Sequence, residues 1–233
     1  MGHKVSPLIL RIGYIKTWHS RWFAKHKDYA RFIEEDYKIR KFIKTGFKQA
    51  AISKTVIERL AEKVKIRIYS ARPGIIIGRH GADIDRLRED INAIVKNEVS
   101  VDIEEIKQPA MDAQLVAENV AMQLEKRVAF RRAVKRAIEQ TMNAGAKGIK
   151  IMCAGRLNGA EMSRTETYRQ GKIPLQTLRA DIDYGFAEAL TTFGLIGVKV
   201  WLYKGDILLK KGAESTSVPT AQAVSQEKTD VKR

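Results

Sequence analysis

The sequence predicts an α+β fold made of two small domains. Segments that alternate polar and apolar residues, as strands do, are interleaved with segments of helical periodicity, and Gln108-Pro109 interrupts the pattern near the middle. Because the residue before a proline resists the helical backbone region, this dipeptide marks the domain boundary. With 233 residues, 44% of them hydrophobic, the chain is long enough for two cores.

The first domain is predicted over residues 29–108, in the order helix, strand, strand, helix-loop-helix, strand. A helical stretch near Tyr29–Lys48 precedes a strand at Ala51–Ile57. Lys63–Tyr69 alternates as a half-buried strand does. After a helical unit with apolar residues three and four apart, Val99–Ile103 alternates again, which predicts the last strand.

Inside the helical unit lies a short loop, Gly78-Arg79-His80-Gly81, with a glycine at each end. Glycine can adopt a positive φ and lets the chain approach a sugar-phosphate backbone, while Arg79 and His80 point outward as donors. In this element order the loop resembles the Gly-x-x-Gly loop of a type II KH domain, which clamps nucleic-acid backbone. For the loop taken alone, a simple turn between helices is the alternative.

The charge of the chain also indicates a polyanionic partner. Its 43 Lys and Arg against 27 Asp and Glu give a net charge of +16, which favours nucleic acid over an anionic membrane. Residues 1–60 carry 14 basic and 5 acidic side chains and residues 121–150 carry 8 and 2, whereas residues 61–120 carry 9 and 11. We therefore expect affinity to come mainly from outside the loop-bearing segment, since phosphate neutralisation drives binding.

The first 28 residues are predicted to form a basic arm with interspersed aromatic side chains. Such side chains can neutralise phosphates and stack on bases. For Trp22 and Phe23 we prefer the alternative that they anchor the arm to its own domain.

Residues 109–213 are predicted to form a second α+β domain, with two helices packed on a mainly antiparallel sheet. It opens with a long helical stretch from Asp112 to about Met142. Residues 214–233 lack aromatics and are predicted to be disordered. The segments between are strands at Ile149–Leu157 and Val198–Tyr203, an extended piece at Ile173–Tyr184, a polar stretch at Gly159–Gln170 and a short apolar piece at Phe186–Phe193.

The end of the helical stretch has cations opposite its apolar stripe. They form two rows with a spacing of four: Arg127, Arg131 and Lys135, and Arg132 and Arg136. Like charges at this spacing repel each other, and a face that is merely solvated usually mixes signs. Here only Glu125 and Glu139 dilute the positive charge. The pattern favours a nucleic-acid face over a solvated one.

Motifs of an enzyme are missing from the sequence. It has no nucleotide-binding loop motif and no cysteine–histidine spacing of a zinc site, so we expect no cofactor and no metal. Cys153, in a strand pattern, is expected to be a buried inert thiol. Asp181 and Asp183 could hold the metal of a nuclease, but ion pairs with Arg179 and Arg164 explain them better. No signal peptide or bilayer-spanning apolar run is found.

Motifs of one known family occur in order through residues 1–204. They are Met1-Gly2-x-Lys4-Val5-x-Pro7 with Arg11-x-Gly13, Trp18-x-Ser20-x-Trp22-Phe23-Ala24, Ala71–Gly78 with Gly81, Phe130–Ala137, Gly145–Lys150, Gly155–Glu161 and Leu178–Tyr184. Together they resemble the small-subunit ribosomal protein S-three family of bacterial type. The resemblance implies a non-enzymatic, cytoplasmic RNA-binding component of the small-subunit head, at the entrance of the messenger channel. A nuclease or repair enzyme on the same fold is the alternative.

The resemblance also implies partners and roles for residues. The partners are small-subunit ribosomal RNA, messenger RNA and the head proteins S-ten and S-fourteen, with no membrane and no small-molecule substrate. Arg131, Arg132 and Lys135 would grip the messenger and help to open its helices. His80 stands where many relatives carry lysine, which predicts a weaker, pH-dependent grip of the loop. For ribosomal RNA we expect contacts from Lys4, Arg11, Lys16, Arg21, Arg127, Arg136, Lys147, Lys150, Arg156, Arg164 and Arg179.

Overall fold

The computed structural model describes residues 4–60, 63–95 and 97–208 of the chain. Its α-helices are α1 (His26–Gly46), α2 (Pro73–Ile77), α3 (Ala82–Ile94), α4 (Ala113–Glu125) and α5 (Phe130–Asn143). Its strands are β1 (Ser20–Arg21), β2 (Ile52–Leu60), β3 (Lys63–Ser70), β4 (Glu98–Glu105), β5 (Gly148–Gly155), β6 (Arg164–Gly171), β7 (Ala180–Thr191) and β8 (Gly194–Asp206). The predicted disordered segment, residues 214–233, lies outside the described residues.

The first domain has a four-stranded mixed sheet in the order β1-β2-β3-β4. Strand β3 runs antiparallel to β2 and parallel to β4. Its Val64, Ile66 and Ile68 are buried in a core to which Ile39 of α1 and Ile91 of α3 also belong. The predicted order of elements is confirmed. Strand β1, which is part of the predicted arm, pairs in parallel with β2 and extends the sheet.

The second domain has a four-stranded antiparallel sheet in the order β6-β5-β8-β7. Helices α4 and α5 cover one face, where Val120, Val134, Ile151 and Val200 belong to one core. The predicted arrangement of two helices on an antiparallel sheet is therefore confirmed. The opposite face of the sheet, which we call the outer face, has no α-helix on it among the described residues.

Two strands of this sheet differ from their sequence patterns. Strand β6 lies in the polar stretch without apolar alternation, because it is an edge strand whose side chains are mostly exposed. Strand β7 is continuous across two segments that the sequence separates. Ala180 and Ile182 at its start are buried in a small cluster with Tyr203, whereas Ala187 and Ala189 further along are buried in the main core, so the period of two in burial is broken between them.

The long helical stretch is interrupted at Arg127, which has φ of 59°. The Val128 N–H donates to the Gln123 carbonyl at 3.0 Å and the Arg127 N–H to the Leu124 carbonyl at 2.9 Å. This is the hydrogen-bond pattern of a Schellman motif, which usually has glycine at the left-handed position. An arginine stands there instead, so the sequence lacks the usual stop signal. Arg127 consequently does not continue the helical row of Arg131 and Lys135, and this part of the predicted stripe is wrong.

Asp112 joins the two domains at their boundary. Its carboxylate caps α4 by accepting the N–H groups of Gln114 at 3.0 Å and Leu115 at 3.2 Å, and it also accepts a hydrogen bond from the Ser53 hydroxyl on β2. Within the described residues, no helix has the length and apolarity needed to cross a membrane.

Candidate nucleic-acid interface

Helix α5 presents a cationic face at the surface. Its Phe130, Val134 and Ile138 are buried against the sheet, which fixes the helix and directs the other side to solvent. Four cations, which we call the α5 face, are exposed there: Arg131, Arg132, Lys135 and Arg136. No carboxylate of the described residues forms an ion pair with Arg132, Lys135 or Arg136.

Beside the α5 face, Glu166 of the edge strand β6 is shared by two arginines. Its carboxylate lies 4.0 Å from Arg131 and 3.3 Å from Arg164, and the side chain of Arg131 is 70% exposed. Both guanidinium groups also lie over the Phe130 ring, at 5.6 and 5.9 Å from its centroid. One carboxylate cannot neutralise two arginines, so this end of the face keeps a positive charge. Guanidinium groups in this setting suit phosphate oxygens, which they bind in a bidentate way.

The loop between α2 and α3 has the backbone that its glycines predict. Gly78, His80 and Gly81 have φ of 71°, 54° and 82°, and the side chains of Arg79 and His80 are exposed. The charge around the loop is less favourable for an anion. Asp83 and Asp85 occupy the first turn of α3, and a Cβ at Gly78 would overlap the Asp83 side chain. Any grip on nucleic acid here would depend on close backbone approach more than on charge.

Arg11 is in the interior, so the expectation that it contacts RNA is wrong. The side chain is 0% exposed, and its guanidinium donates to the carbonyls of Ala180 at 2.7 Å, Pro7 at 2.9 Å, and Leu175 and Thr177 at 3.0 Å. A buried guanidinium needs acceptors for its donors, and these carbonyls provide them. The apolar run Pro7–Ile12 around this arginine was the sequence signal of its burial.

Several other expected RNA contacts are engaged in ion pairs within the molecule. Lys16 lies 2.6 Å from Asp181, Arg21 3.0 Å from Glu58, and Arg179 3.5 Å from Asp206. Such partners reduce the charge that these cations can offer to phosphate. The sequence gives no sign of this, because the partners are distant along the chain.

The remaining expected contacts differ in their surroundings. Lys4, Arg127 and Lys147 are exposed. Arg156 donates to the Ala160 carbonyl at 2.8 Å. Lys150 lies on the outer face, with its ammonium 4.9 Å from the centroid of the Trp201 ring. The predicted anchoring of Trp22 is found, since its indole N–H donates to Asp36 at 2.9 Å, whereas Phe23 is 93% exposed and anchors nothing.

The carboxylates considered for a nuclease are in ion pairs, but with other partners than expected. Asp181 pairs with Lys16, and Asp183 lies 3.3 Å from Lys204 and accepts the Ala113 N–H at 3.2 Å. The described residues include no group of three or more His, Cys, Asp or Glu able to hold a metal ion. Cys153 is buried, and burial, with a smaller effect of the Glu166 charge, raises the pKa of its thiol to about 11. The expected burial of this thiol is confirmed.

Comparison with known proteins assigns the chain to a family. Residues 38–111 match the KH domain, and residues 120–202 match the family described as Ribosomal protein S3, C-terminal domain. The small ribosomal subunit protein uS3 of Desulfatibacillum aliphaticivorans is 58% identical over 221 residues, which are 95% of this chain and 100% of the relative. The uS3 protein of Magnetococcus marinus is 60% identical over 211 residues, 91% of this chain and 100% of the relative.

The chain belongs to the uS3 family of small ribosomal subunit proteins. This is a family of structural proteins rather than enzymes, as the sequence predicts. The family assignment also confirms the predicted pairing of a KH domain with a C-terminal α+β domain. No comparison favours the nuclease alternative.

Proposed function

We propose that the chain is a structural RNA-binding component of the small-subunit head, where it binds ribosomal RNA and lines the entrance of the messenger channel. The α5 face would hold the incoming messenger through Arg131, Arg132 and Lys135. The loop Gly78–Gly81 and the exposed cations Lys4, Arg127, Arg136 and Lys147 would contact RNA backbone. The head proteins S-ten and S-fourteen would be its neighbours.

The observation that supports this proposal most strongly is the exposed and largely unneutralised α5 face. Its cations repel one another, and the described structure offers them one shared carboxylate, Glu166. A bound phosphate backbone would relieve that repulsion, and it would do so for any sequence because phosphate contacts read no bases. Independence of sequence is what a channel for all messengers requires.

A rigid helix is suited to opening messenger helices. The buried side chains Phe130, Val134 and Ile138 fix α5 on the sheet, so that its cations would hold one strand at a constant position. When the ribosome pulls the messenger inward, a duplex arriving at the entrance would meet this fixed contact and separate. The protein would supply a mechanical hold and no chemical step.

The test uses small subunits that carry the chain with Arg131, Arg132 and Lys135 replaced by alanine. The matched control replaces Lys38, Lys41 and Lys44, three exposed lysines of α1, and removes the same charge. Incorporation is measured first, by co-sedimentation with small subunits through high salt, and then translation rates are compared on messengers with and without a stable hairpin. We expect the α5 variant to incorporate normally and to slow on the hairpin messenger alone, while the control reads both at the parent's rates.

Equal relative rates on both messengers for the α5 variant would contradict a role at the entrance. Loss of incorporation by the α5 variant, with a normal control, would instead make this face an anchor to ribosomal RNA.

A further inference from the structure

The outer face of the second sheet carries an ordered row of aromatic and basic side chains. In the strand register, Tyr184 of β7 is paired with Trp201 of β8, Trp201 with Lys150 of β5, and Lys150 with Arg169 of β6. The rings of Tyr184 and Trp201 are 5.5 Å apart and inclined at 56°. Side chains paired in this way project from one face, so the row crosses all four strands.

Above part of this row lies a cavity of about 870 Å³, which we call the outer cavity. The sheet forms its floor with Lys150, Lys199, Tyr184, Trp201 and Met152. Its walls are residues 4–7 with Leu10 of the arm and residues 173–177 of the loop before β7. Its size is within the range of small-ligand sites.

Arg11 holds the two walls of the outer cavity together. Its guanidinium donates to the Pro7 carbonyl on one wall and to the Leu175 and Thr177 carbonyls on the other. The outer cavity is therefore shaped by a buried hydrogen-bond network before any ligand arrives. A preformed site pays less ordering entropy on binding than one that must assemble.

The charge of the outer cavity indicates the chemistry of its occupant. Its lining includes the three lysines Lys4, Lys150 and Lys199 and no carboxylate. Hydroxyl and amide groups of Ser6, Gln176 and Thr177 also line it and can bond polar groups. Proteins that bind single-stranded nucleic acids without sequence preference use aromatic rings surrounded by cations. The bases stack on the rings and the phosphates contact the cations.

We propose that the outer cavity binds a nucleotide of single-stranded RNA, with its base stacked on Trp201 and its phosphate held by Lys150 and Lys199. This proposal deepens the RNA-binding function proposed above and rests on it. A docked protein segment is the competing occupant. An acidic segment could satisfy the lysines, but the Trp201 ring would then have no stacking partner, whereas a nucleotide satisfies both.

Lys150 would change its contact when the nucleotide binds. Its ammonium now lies over the Trp201 ring, where the base would stack. A cation–π contact at an open site is weak, and the lysine side chain is flexible. The arriving base would displace the ammonium from the ring, and the freed cation would reach the phosphate of the same nucleotide.

The experiment measures binding of the full-length protein to a labelled single-stranded RNA of eight uridines by fluorescence anisotropy. Trp201→Leu should raise the Kd roughly 5- to 150-fold, the range for losing one stacked base, while Trp201→Phe should keep most of the affinity. The matched control is Phe186→Leu, an aromatic residue of the same face that is 40% exposed and does not line the outer cavity. This control should bind as the parent does.

A second variant keeps the proposal testable if Trp201→Leu does not fold. Lys150→Met with Lys199→Met keeps an unbranched apolar stem at both positions and removes the charge. It should flatten the salt dependence of binding by about 1.4 units of slope, at about 0.7 per phosphate contact. Irradiation of the parent complex should crosslink the RNA to the peptide containing Trp201.

The outcomes separate this inference from the proposed function. Trp201→Leu and the lysine variant could both bind RNA with the parent's affinity while the triple alanine variant of the α5 face binds weakly. That result would contradict nucleotide binding in the outer cavity and leave the proposed function standing. If all three variants bind RNA with the parent's affinity, both the inference about the outer cavity and the proposed function are contradicted. Normal RNA affinity of Trp201→Leu combined with failure to join small subunits would make the outer face a protein-docking surface, which also overturns the inference.

Discussion

The N-terminal arm and helix α5 are both basic in sequence, yet the fold uses their cations in opposite ways. In the arm, Arg11 is buried among carbonyls and Lys16 and Arg21 face carboxylates. On the α5 face, Arg132 and Lys135 have no carboxylate partner among the described residues. A charge count therefore predicts the kind of partner for the whole molecule, but it does not predict which cations contact that partner.

The difference has a physical cause in how each region is held. Helix α5 is amphipathic, so burying its apolar side forces its cations outward. The arm has little regular structure of its own and is held by contacts with both domains: Arg11 reaches the second domain and β1 pairs in the first. A segment fixed in this way uses its polar side chains as attachment points.

The largest effect should come from Arg11→Met. Leaving a buried acceptor without its donor costs about 1–3 kcal/mol, and several carbonyls lose theirs, so the free energy of unfolding should fall by at least about 3 kcal/mol. Chemical denaturation followed by circular dichroism measures the loss. Arg132→Met is the matched control and should stay within about 0.5 kcal/mol of the parent. Equal stability of the two variants would mean that the arm is not fixed through Arg11.

The second effect concerns binding by the α5 face in solution. Replacing Arg131, Arg132 and Lys135 by alanine removes up to three phosphate contacts, so the salt dependence of binding to single-stranded RNA should flatten by roughly two units of slope. Stability should not fall, since alanine favours helix and the repulsion between like charges is relieved. Titrations at several salt concentrations give the slope, and an unchanged slope would show a merely solvated face.

A smaller effect is expected at the loop between α2 and α3, and it separates charge from backbone geometry. Gly81 is the position to change, since a Cβ there meets only Ile84 at 3.9 Å, whereas at Gly78 it would overlap Asp83. Gly81→Asp and Gly81→Asn carry similar backbone strain and differ in charge. If phosphate lies at the loop, the aspartate should cost about 1 kcal/mol more in RNA binding, about a five-fold difference in Kd. Equal affinities would place phosphate elsewhere.

The smallest effect should be that of Lys16→Met combined with Arg21→Met. Both cations already have carboxylate partners, so we expect the salt slope to change by less than about half a unit, against about 1.4 for two full phosphate contacts. The same titration series measures it. A change in the salt slope as large as that from removing two α5 cations would show that Lys16 and Arg21 leave their carboxylate partners to bind RNA. The arm and the α5 face would then not differ in how they use their cations.

Local patterns were sufficient for part of this fold. The strand Lys63–Ser70 alternates, α5 has a clean apolar stripe, and Gly78 and Gly81 mark the loop, so each of these could be predicted from neighbouring residues. The interruption at Arg127 could not, because the residue in the left-handed position is not glycine. The outer row of Tyr184, Trp201 and Lys150 depends on strand register, which pairs residues far apart in the chain.

Arg11 also has a consequence for the order of events during synthesis. The carbonyl of Ala180 that it binds lies 169 residues later in the chain. At a translation rate of roughly 5–20 residues per second, about 10–30 s pass between the appearance of Arg11 and that of its partner. The segment around Arg11, although made among the first, can be fixed only when the second domain is nearly complete. Throughout that interval its guanidinium lacks the carbonyls of Leu175, Thr177 and Ala180, and it remains available to any anion that the nascent chain meets.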